Sequence, residues 1–486
     1  MYPDGTSFPV IERDDWWSDS WDAMSYGRDF DFSRPFFEQF FELRDCVPHP
    51  SLCTASNSDN CAYVNHTGWS KNCYFTFNTG GNRDCMYVET CENSVDCIEC
   101  TRSPNCELCY DCVECHRSYQ LQSSSGCEDC RESYFLLDCR ACESCFACAN
   151  LRRAKFCIFN RQVSEAEYQQ FVQSIDLSRY SLREGYRKKA HELFLNLPHP
   201  HLLGSRVENV TGNYLYQCRN VFDSYAVRGS EDMRYCLSID VGAKNCYDVS
   251  IWGHDLQLAY ECVCCGGDAF NLLFCYECWL GAADLLYCGF CNGCAHCFGC
   301  IGLRKKRYCI FNKQYSEDHY FALVARIITH MQQTGEWGEF FPARYSHVPI
   351  NTTLVQRYLP ITRQEAADQG LWWYDRKDVP RSTAIPAEAL PDGLPDNDSA
   401  LEVIGLGGTR TFLIGSAELR MLRKLGAPLP RLSYDTRMEE RQKRVAGLFL
   451  YPRTCPKSGK QILCSYPPSS SWIVWDKDTF DSEFNS

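Results

Sequence analysis

The seventeen cysteines between Cys61 and Cys157 all fall on one residue class modulo three, at positions 61, 73, 85, 91, 97, 100, 106, 109, 112, 115, 127, 130, 139, 142, 145, 148 and 157. Chance would align them in roughly one case in tens of millions, so a repeating backbone must impose the spacing. Longer beats ride on the short one. Cys61, Cys73, Cys85, Cys97 and Cys109 step by twelve, and Asn60, Asn72, Asp84 and Asp96 stand immediately before the first four. Asn and Asp tolerate the left-handed turn conformation, and their side chains can bond from one turn to the next. A reduced cysteine behaves as a small buried hydrophobe. The pattern predicts a small turn-plus-strand unit stacked on itself, a thin β-solenoid with sulfur in its inward slots.

The plan occurs twice. The stretch 291–312, CNGCAHCFGCIGLRKKRYCIFN, aligns at a constant offset of 152 with 139–160, placing Cys294, Cys297, Cys300 and Cys309 on Cys142, Cys145, Cys148 and Cys157. In the second copy Val210, Val221, Met233 and Cys246 keep a beat of 11 to 13. The interior slots therefore accept Val or Met as well as Cys. The predicted fold is mainly β with helices: two cysteine-lined β-solenoid blocks, each followed by helices, and a small α+β C-terminal module.

Divided along the chain, residues 1–60 form an aromatic N-terminal cap over the open end of the first block, with Ser33 as N-cap of a helix over the Phe36–Leu43 stretch. Residues 61–163 are the first solenoid. Residues 164–200 are helical, opened by a Ser164–Glu167 capping box. Residues 201–315 are the second solenoid. A second helical segment, 316–375, holds another capping box at Thr362–Glu365 and a stop at Gly370. Residues 376–400, with four prolines, read as a linker. In 401–486, Ser416 caps a helix that Gly426 ends. Tyr466-Pro467 through Val474, Asp478 and Phe480 parallel Tyr2-Pro3 through Val10, Asp14 and Trp16, so the N-terminal stretch reads as the second half of the same hairpin module.

Thirty-five cysteines in 486 residues sit just under the usual share of a disulfide-scaffold protein, about 8–10%. No stretch has the roughly 20 apolar residues of a membrane span, and the start MYPDGTSFPVIERDDWW lacks the basic and apolar regions of a secretory signal. A cytoplasmic chain with reduced thiols follows as the expectation. The net charge of −13 and the lack of long basic runs argue against a nucleic-acid partner. A protein partner or self-association fits a solenoid surface better.

The densest thiol clusters are Cys139, Cys142, Cys145 and Cys148, and Cys288, Cys291, Cys294, Cys297 and Cys300. Their Cys-x-x-Cys spacing is ligand spacing for zinc or for an iron–sulfur cluster. Cys139, Cys142, Cys145, Cys148, Cys291, Cys294, Cys297 and Cys300 are the candidate metal ligands, with zinc as the candidate cofactor. Packed reduced thiols and a disulfide ladder are the other two readings. The modulo-three regularity favours packed thiols, because a metal site needs four ligands once and not one at every step. Cys112-Val-Glu-Cys115-His116 matches a haem-attachment pattern, which this many Cys-x-x-Cys pairs produces by chance. No catalytic residue stands out: His254, His296 and His319 are scattered, and the chain has no GxxxxGK[ST] and no GxSxG.

FPVIERDDWWSDSWDAMSYGRDFDFSRPFFEQF, the doubled CIFN stretches, TGEWGEFFP, PLPRLSYDTR and the terminal CPKSGKQI together resemble a family of cysteine-rich repeat proteins with zinc-ribbon-like ends from bacteria of the candidate phyla. The resemblance spans nearly the whole chain. It implies zinc-ribbon cysteine pairs in the terminal module and no particular activity. This chain departs from the pattern: Ser433, Tyr434 and Asp435 stand where one pair is expected, and Ser458 follows Cys455 where a second cysteine would sit. The module is thus a degenerate ribbon. The expected role is a non-catalytic structural or protein-interaction scaffold, with a metal-binding protein second and a β-helix enzyme of unknown substrate third.

Overall fold

A computed structural model describes residues 2–54, 57–89, 93–99, 109–111, 119–240, 283–353, 355–376, 383–408, 410–444 and 447–485. The Cys112–His116 pattern, His254 and the second-copy cysteines from Cys246 to Cys278 lie outside them.

The first cysteine-rich stretch is built from short parallel strands, each paired with the segment twelve residues on. The pairs Asn65↔Phe77, Cys97↔Cys109, Tyr119↔Arg131, Arg131↔Glu143 and Cys145↔Cys157 all share this register. Isolated bridges repeat the same offset elsewhere in the repeat, through Asp59↔Lys71↔Arg83↔Val95 and Ala62↔Tyr74↔Met86↔Ile98. Left-handed residues recur every third position, for example Asp129, Glu132, Phe135, Asp138, Ala141, Ser144, Ala147, Asn150, Arg153, Phe156 and Phe159, with φ between 47° and 60°. The residue ahead of each buried cysteine is thus a corner, and the thiol after it turns inward. This is the physical source of the modulo-three rule. The corner Asx side chains form the expected ladder: Asn60 Nδ2 donates to Asn72 Oδ1 and Asn72 Nδ2 to Asp84 Oδ1, both at 2.8 Å.

The second stretch winds the same way with a looser start. Its first pairs are eleven apart, Glu208↔Arg219 and Val210↔Val221, and a bulge before Gly212 brings Gly212↔Ser224 to twelve. A Cβ on Gly212 would lie 1.8 Å from the Ser224 carbonyl oxygen, so only glycine passes there. Val221 and Met233 fill interior slots, at 0% and 1% exposure, as the sequence pattern implies. Each stretch ends on the asparagine of its CIFN motif. Asn160 accepts from Ala149 N and donates to Ala149 O, and Asn312 does the same to Ile301, at 2.8–3.0 Å. The amide stands in for the peptide of a next repeat, after which the chain reverses into an antiparallel pair, Cys157↔Gln162 or Cys309↔Gln314.

Helices Glu165–Gln173 and Tyr180–Leu195 cover one side of the first stretch through Tyr168, Phe171, Tyr186 and Phe194 packed on Phe135 and Phe146. Both capping boxes form, at Ser164–Glu167 and Thr362–Glu365. The N-terminal aromatic segment corrects the expectation. Its helix does not lie on the first stretch: Phe36–Cys46 packs Phe36, Phe37 and Phe40 against Tyr287, Phe298 and Phe311 of the second, beside helix Glu317–Gln333, while the tail of the segment meets the first, through Thr54↔Thr67 and Cys53 N to Asn65 Oδ1 at 2.8 Å. Ser33 is not its cap either. Ser33 bonds Asp31, and the Glu336 carboxylate accepts from the N–H groups of Phe36 and Phe37 at 2.8 Å. A carboxylate brought in by tertiary contact satisfies the first-turn donors and faces the positive end of the helix.

The end-to-end parallel between the termini is structural. Val10–Ile11 pairs in parallel with His49–Pro50, and Ile473–Trp475 pairs likewise with Pro198–Pro200. His49 and His199 each bond the carbonyl five residues back, Arg44 and Phe194. The N-terminal helix is therefore the counterpart of Tyr180–Leu195, and each half's helix leads into the start of the other half.

The 376–400 stretch is more than a connector among its described residues. Ile385–Pro386 joins Leu401–Ile404 and Thr411–Ile414 in a sheet over buried Ala387 and Leu390. Helix Ser416–Leu425 is capped by Gly415, so Ser416 is its first residue, and Gly426 (φ 58°) ends it. Among the described residues no helix is long and apolar enough to cross a membrane.

Ala141 is an exposed corner at φ 51°, where L residues carry a penalty of about 1–2 kcal/mol. Ala141→Gly should stabilise the protein by about 1 kcal/mol, read as a raised denaturation midpoint in urea. An unchanged or lowered midpoint would contradict the corner assignment.

Candidate functional site

Two clusters of chemically capable side chains are buried in the structure. The first is the sulfur column of each stretch. Cys139, Cys142, Cys145 and Cys148 are 0–1% exposed, as are Cys291, Cys294, Cys297 and Cys300. The inward direction follows from the corner residue before each one. The thiols donate to carbonyls two residues back and nine residues on: Cys294 to Asn292 O and Leu303 O at 3.4 Å, Cys139 to Leu137 O at 3.5 Å and Cys148 O at 3.6 Å. They also face one another. Cys142 sits among Cys130, Cys139 and Cys145 in this interior, and Cys294 among Cys291 and Cys297. These two are equivalent under the duplication. Their neighbours' hydrogen bonds hold both thiols below the ordinary range, Cys294 to about 4. Burial pushes Cys139, Cys288, Cys291 and Cys300 well up.

All eight cysteines named from the sequence thus lie in the interior columns, four per block. All eight are unlinked thiols. Among the described residues no set of three or more His, Cys, Asp or Glu side chains is placed to hold a metal ion. In the terminal module Cys455 is buried at the turn after strand Tyr451–Thr454. Its sulfur accepts from Ser458 N at 3.4 Å, while the Ser458 hydroxyl bonds Asp476. Cys464 turns instead to Tyr466 O at 3.4 Å.

The second cluster was not singled out from the sequence. Helix Tyr434–Arg444 docks on the first block through Arg437, Arg441 and Arg444. Arg437 lies 2.6 Å from Glu99 and 3.4 Å from Glu418. Arg441 pairs with Glu99 and approaches Asp111 at 3.6 Å, and Arg444 bonds Asp111 at 2.5 Å. Tyr87 Oη donates to Glu418 at 2.7 Å, and the Arg437 guanidinium stacks 5.1 Å from the Tyr87 ring. Three carboxylates thus meet three guanidiniums. Burial drives Glu418 up to about 7 against the opposing pull of Arg437. The helical spacing of Arg437, Arg441 and Arg444 was the available signal. It reads as a solvated basic stripe until the partner carboxylates are known, two of which, Glu99 and Asp111, lie over 300 residues away.

No family model matches the chain, and neither a curated protein nor a solved structure matches it.

Removing one partner of a buried pair leaves the other charge uncompensated, at about 3–5 kcal/mol. Glu99→Gln should therefore release helix Tyr434–Arg444, seen as loss of amide-exchange protection there while 127–160 stays protected. Equal loss in both regions would reject the docking role.

Glu418 carries its own pH signature. Its folded pKa lies above the ordinary 4.5, so its contribution is fully present below pH 4.5 and fades as the pH rises through about 7. Stability of the docked helix should fall across that window by of order 1–3 kcal/mol. Glu418→Gln should flatten the dependence, and a wild-type-like slope in that variant would reject the assignment.

Proposed function

We propose that the chain is a non-catalytic scaffold, structural or protein-binding, built on two β-solenoid blocks of twelve-residue coils whose interiors are filled by reduced thiols. The observation that carries this reading is where the buried chemistry goes. The sulfurs hydrogen-bond the carbonyls of their own coils, as Cys294 does to Asn292 and Leu303. The buried charge cluster of Arg437, Arg441, Glu99 and Glu418 holds a helix in place. Both devices serve architecture. Stacked coils leave long outer faces for a partner or a second copy, and Tyr63 and Trp69, 61% and 62% exposed on the first coil, are aromatic contacts of the kind interfaces use. A cytoplasmic site belongs to the same reading, because a reducing compartment keeps such thiols free.

A metal-binding role is the second reading, favoured by the density of buried thiols at Cys130, Cys139, Cys142 and Cys145. Membership of the cysteine-rich family with ribbon-like ends is part of the proposal, supported by the buried turn at Cys455. Elemental analysis with anaerobic thiol titration separates the readings. The scaffold reading expects 35 titratable thiols after denaturation, few of them reactive in the native protein, and less than one zinc or iron per chain. Several zinc or iron atoms per chain, lost with the native fold, would promote the metal-binding reading over it.

A further inference from the structure

The columns contain a second geometry besides the Cys-x-x-Cys pairs along the chain. Thiols twelve residues apart are buried in the same slot of successive segments: Cys73 and Cys85, Cys127 and Cys139, Cys130 and Cys142, Cys145 and Cys157, Cys288 and Cys300, and Cys297 and Cys309. For two of these pairs the backbone register is direct, Cys145↔Cys157 and Cys297↔Cys309. Neighbouring strands in a ladder stand about 4.8 Å apart. Two metal–sulfur bonds of about 2.3 Å laid end to end span about 4.6 Å, whereas a tetrahedral zinc site needs sulfurs about 3.8 Å apart and four of them around one point. In-register stacking repeats one sulfur per coil along a line. A line of sulfurs at the ladder spacing suits the first requirement and fails the second.

We propose that the stacked cysteine pairs are two-coordinate sites for a soft monovalent ion, Cu(I), with Cys288 and Cys300 the best-formed pair. Thiolates are soft ligands that suit Cu(I) as well as zinc and iron–sulfur clusters, and of these only Cu(I) is satisfied by two sulfurs in line. The step is an exchange: Cu(I) displaces the protons of both thiols to solvent, two Cu–S bonds replace two S–H bonds, and the pair carries one negative charge with no change of oxidation state. Buried charge needs donors, and this pair has them. Cys300 N donates to Cys288 Sγ and Asn312 N to Cys300 Sγ, both at 3.5 Å. Of the carbonyls that lose a thiol donor, Leu286 O, Phe298 O and Cys297 O, the first two keep the N–H groups of Gly299 and Phe311 at 2.9 and 3.1 Å. The CIFN asparagine thereby acquires a second task, since its N–H supports the upper sulfur.

The inference rests on the stacked-coil reading, and the experiment keeps the two apart. The full reduced chain is titrated anaerobically with Cu(I) held by a competing chelator, and sulfur coordination is read by X-ray absorption. The expected result is Cu(I) retained with two sulfur neighbours and an unchanged far-UV CD spectrum. Cys288→Val with Cys300→Val should lose one equivalent of Cu(I). That variant should fold, because Val221 occupies the same kind of slot at 0% exposure. Cys455→Ser with Cys464→Ser, off the coils, should lose none. Failure to retain Cu(I), three- or four-sulfur coordination, or undiminished binding by the valine variant would overturn the proposal while leaving the scaffold standing. A CD spectrum of the metal-free protein without β-sheet signal would instead remove the coil reading and this inference with it.

Discussion

A left-handed residue at every third position governs this molecule. The conformation costs an L residue about 1–2 kcal/mol, and the first block uses Ala, Ser, Phe and Arg there as well as Asn and Asp. The parallel ladder offsets that cost, because each corner N–H finds a carbonyl one coil back, as Asn150 N finds Leu137 O at 3.0 Å. Only three residues separate corners, so the interior is narrow and holds a single small side chain per side. Cysteine suits it for two reasons. It is small and apolar enough to pack, and its S–H can bond the carbonyls that line the wall. Val and Met pack equally well but leave those carbonyls without the additional donor.

That narrow interior limits what a block can bury by itself, so stability has to come from its flanks. Each block sets aromatic residues on one outer side and covers them with two helices. In the first block both follow in sequence. In the second, one follows and the other, Phe36–Cys46, arrives from the opposite end of the chain. Each of these helices then runs into a His-Pro strand that opens the other block, paired with an equivalent partner, Val10–Ile11 or Ile473–Trp475. The two halves are locked in a ring of mutual coverage, and Glu336 capping Phe36 across 300 residues is one of its closures.

The repeat was legible because corner, slot and ladder are all local. Asn60, Asn72 and Asp84 announce the corner, and Cys61, Cys73 and Cys85 announce the slot. The capping boxes at Ser164 and Thr362 and the stop at Gly426 depend only on neighbours and were likewise readable. Ser33 misled because the first-turn donors of its helix are satisfied by a residue far along the chain. Ser416 misled because Gly415 could serve as cap one position earlier. The Glu99–Arg441 cluster was illegible for a related reason: a basic helix face looks the same in sequence whether it meets water or buried carboxylates.

Taken alone, the sequence determined the period of the backbone, the inward placement of sulfur and the duplication, because each is a matter of residues a few positions apart obeying one steric rule. Only the tertiary structure decided which block the N-terminal helix covers, where the arginines of Tyr434–Arg444 find their charges, and that sulfurs twelve residues apart stand in line. Those outcomes depend on surfaces brought together across hundreds of residues and on the spacing between coils, quantities that no local pattern of side chains encodes.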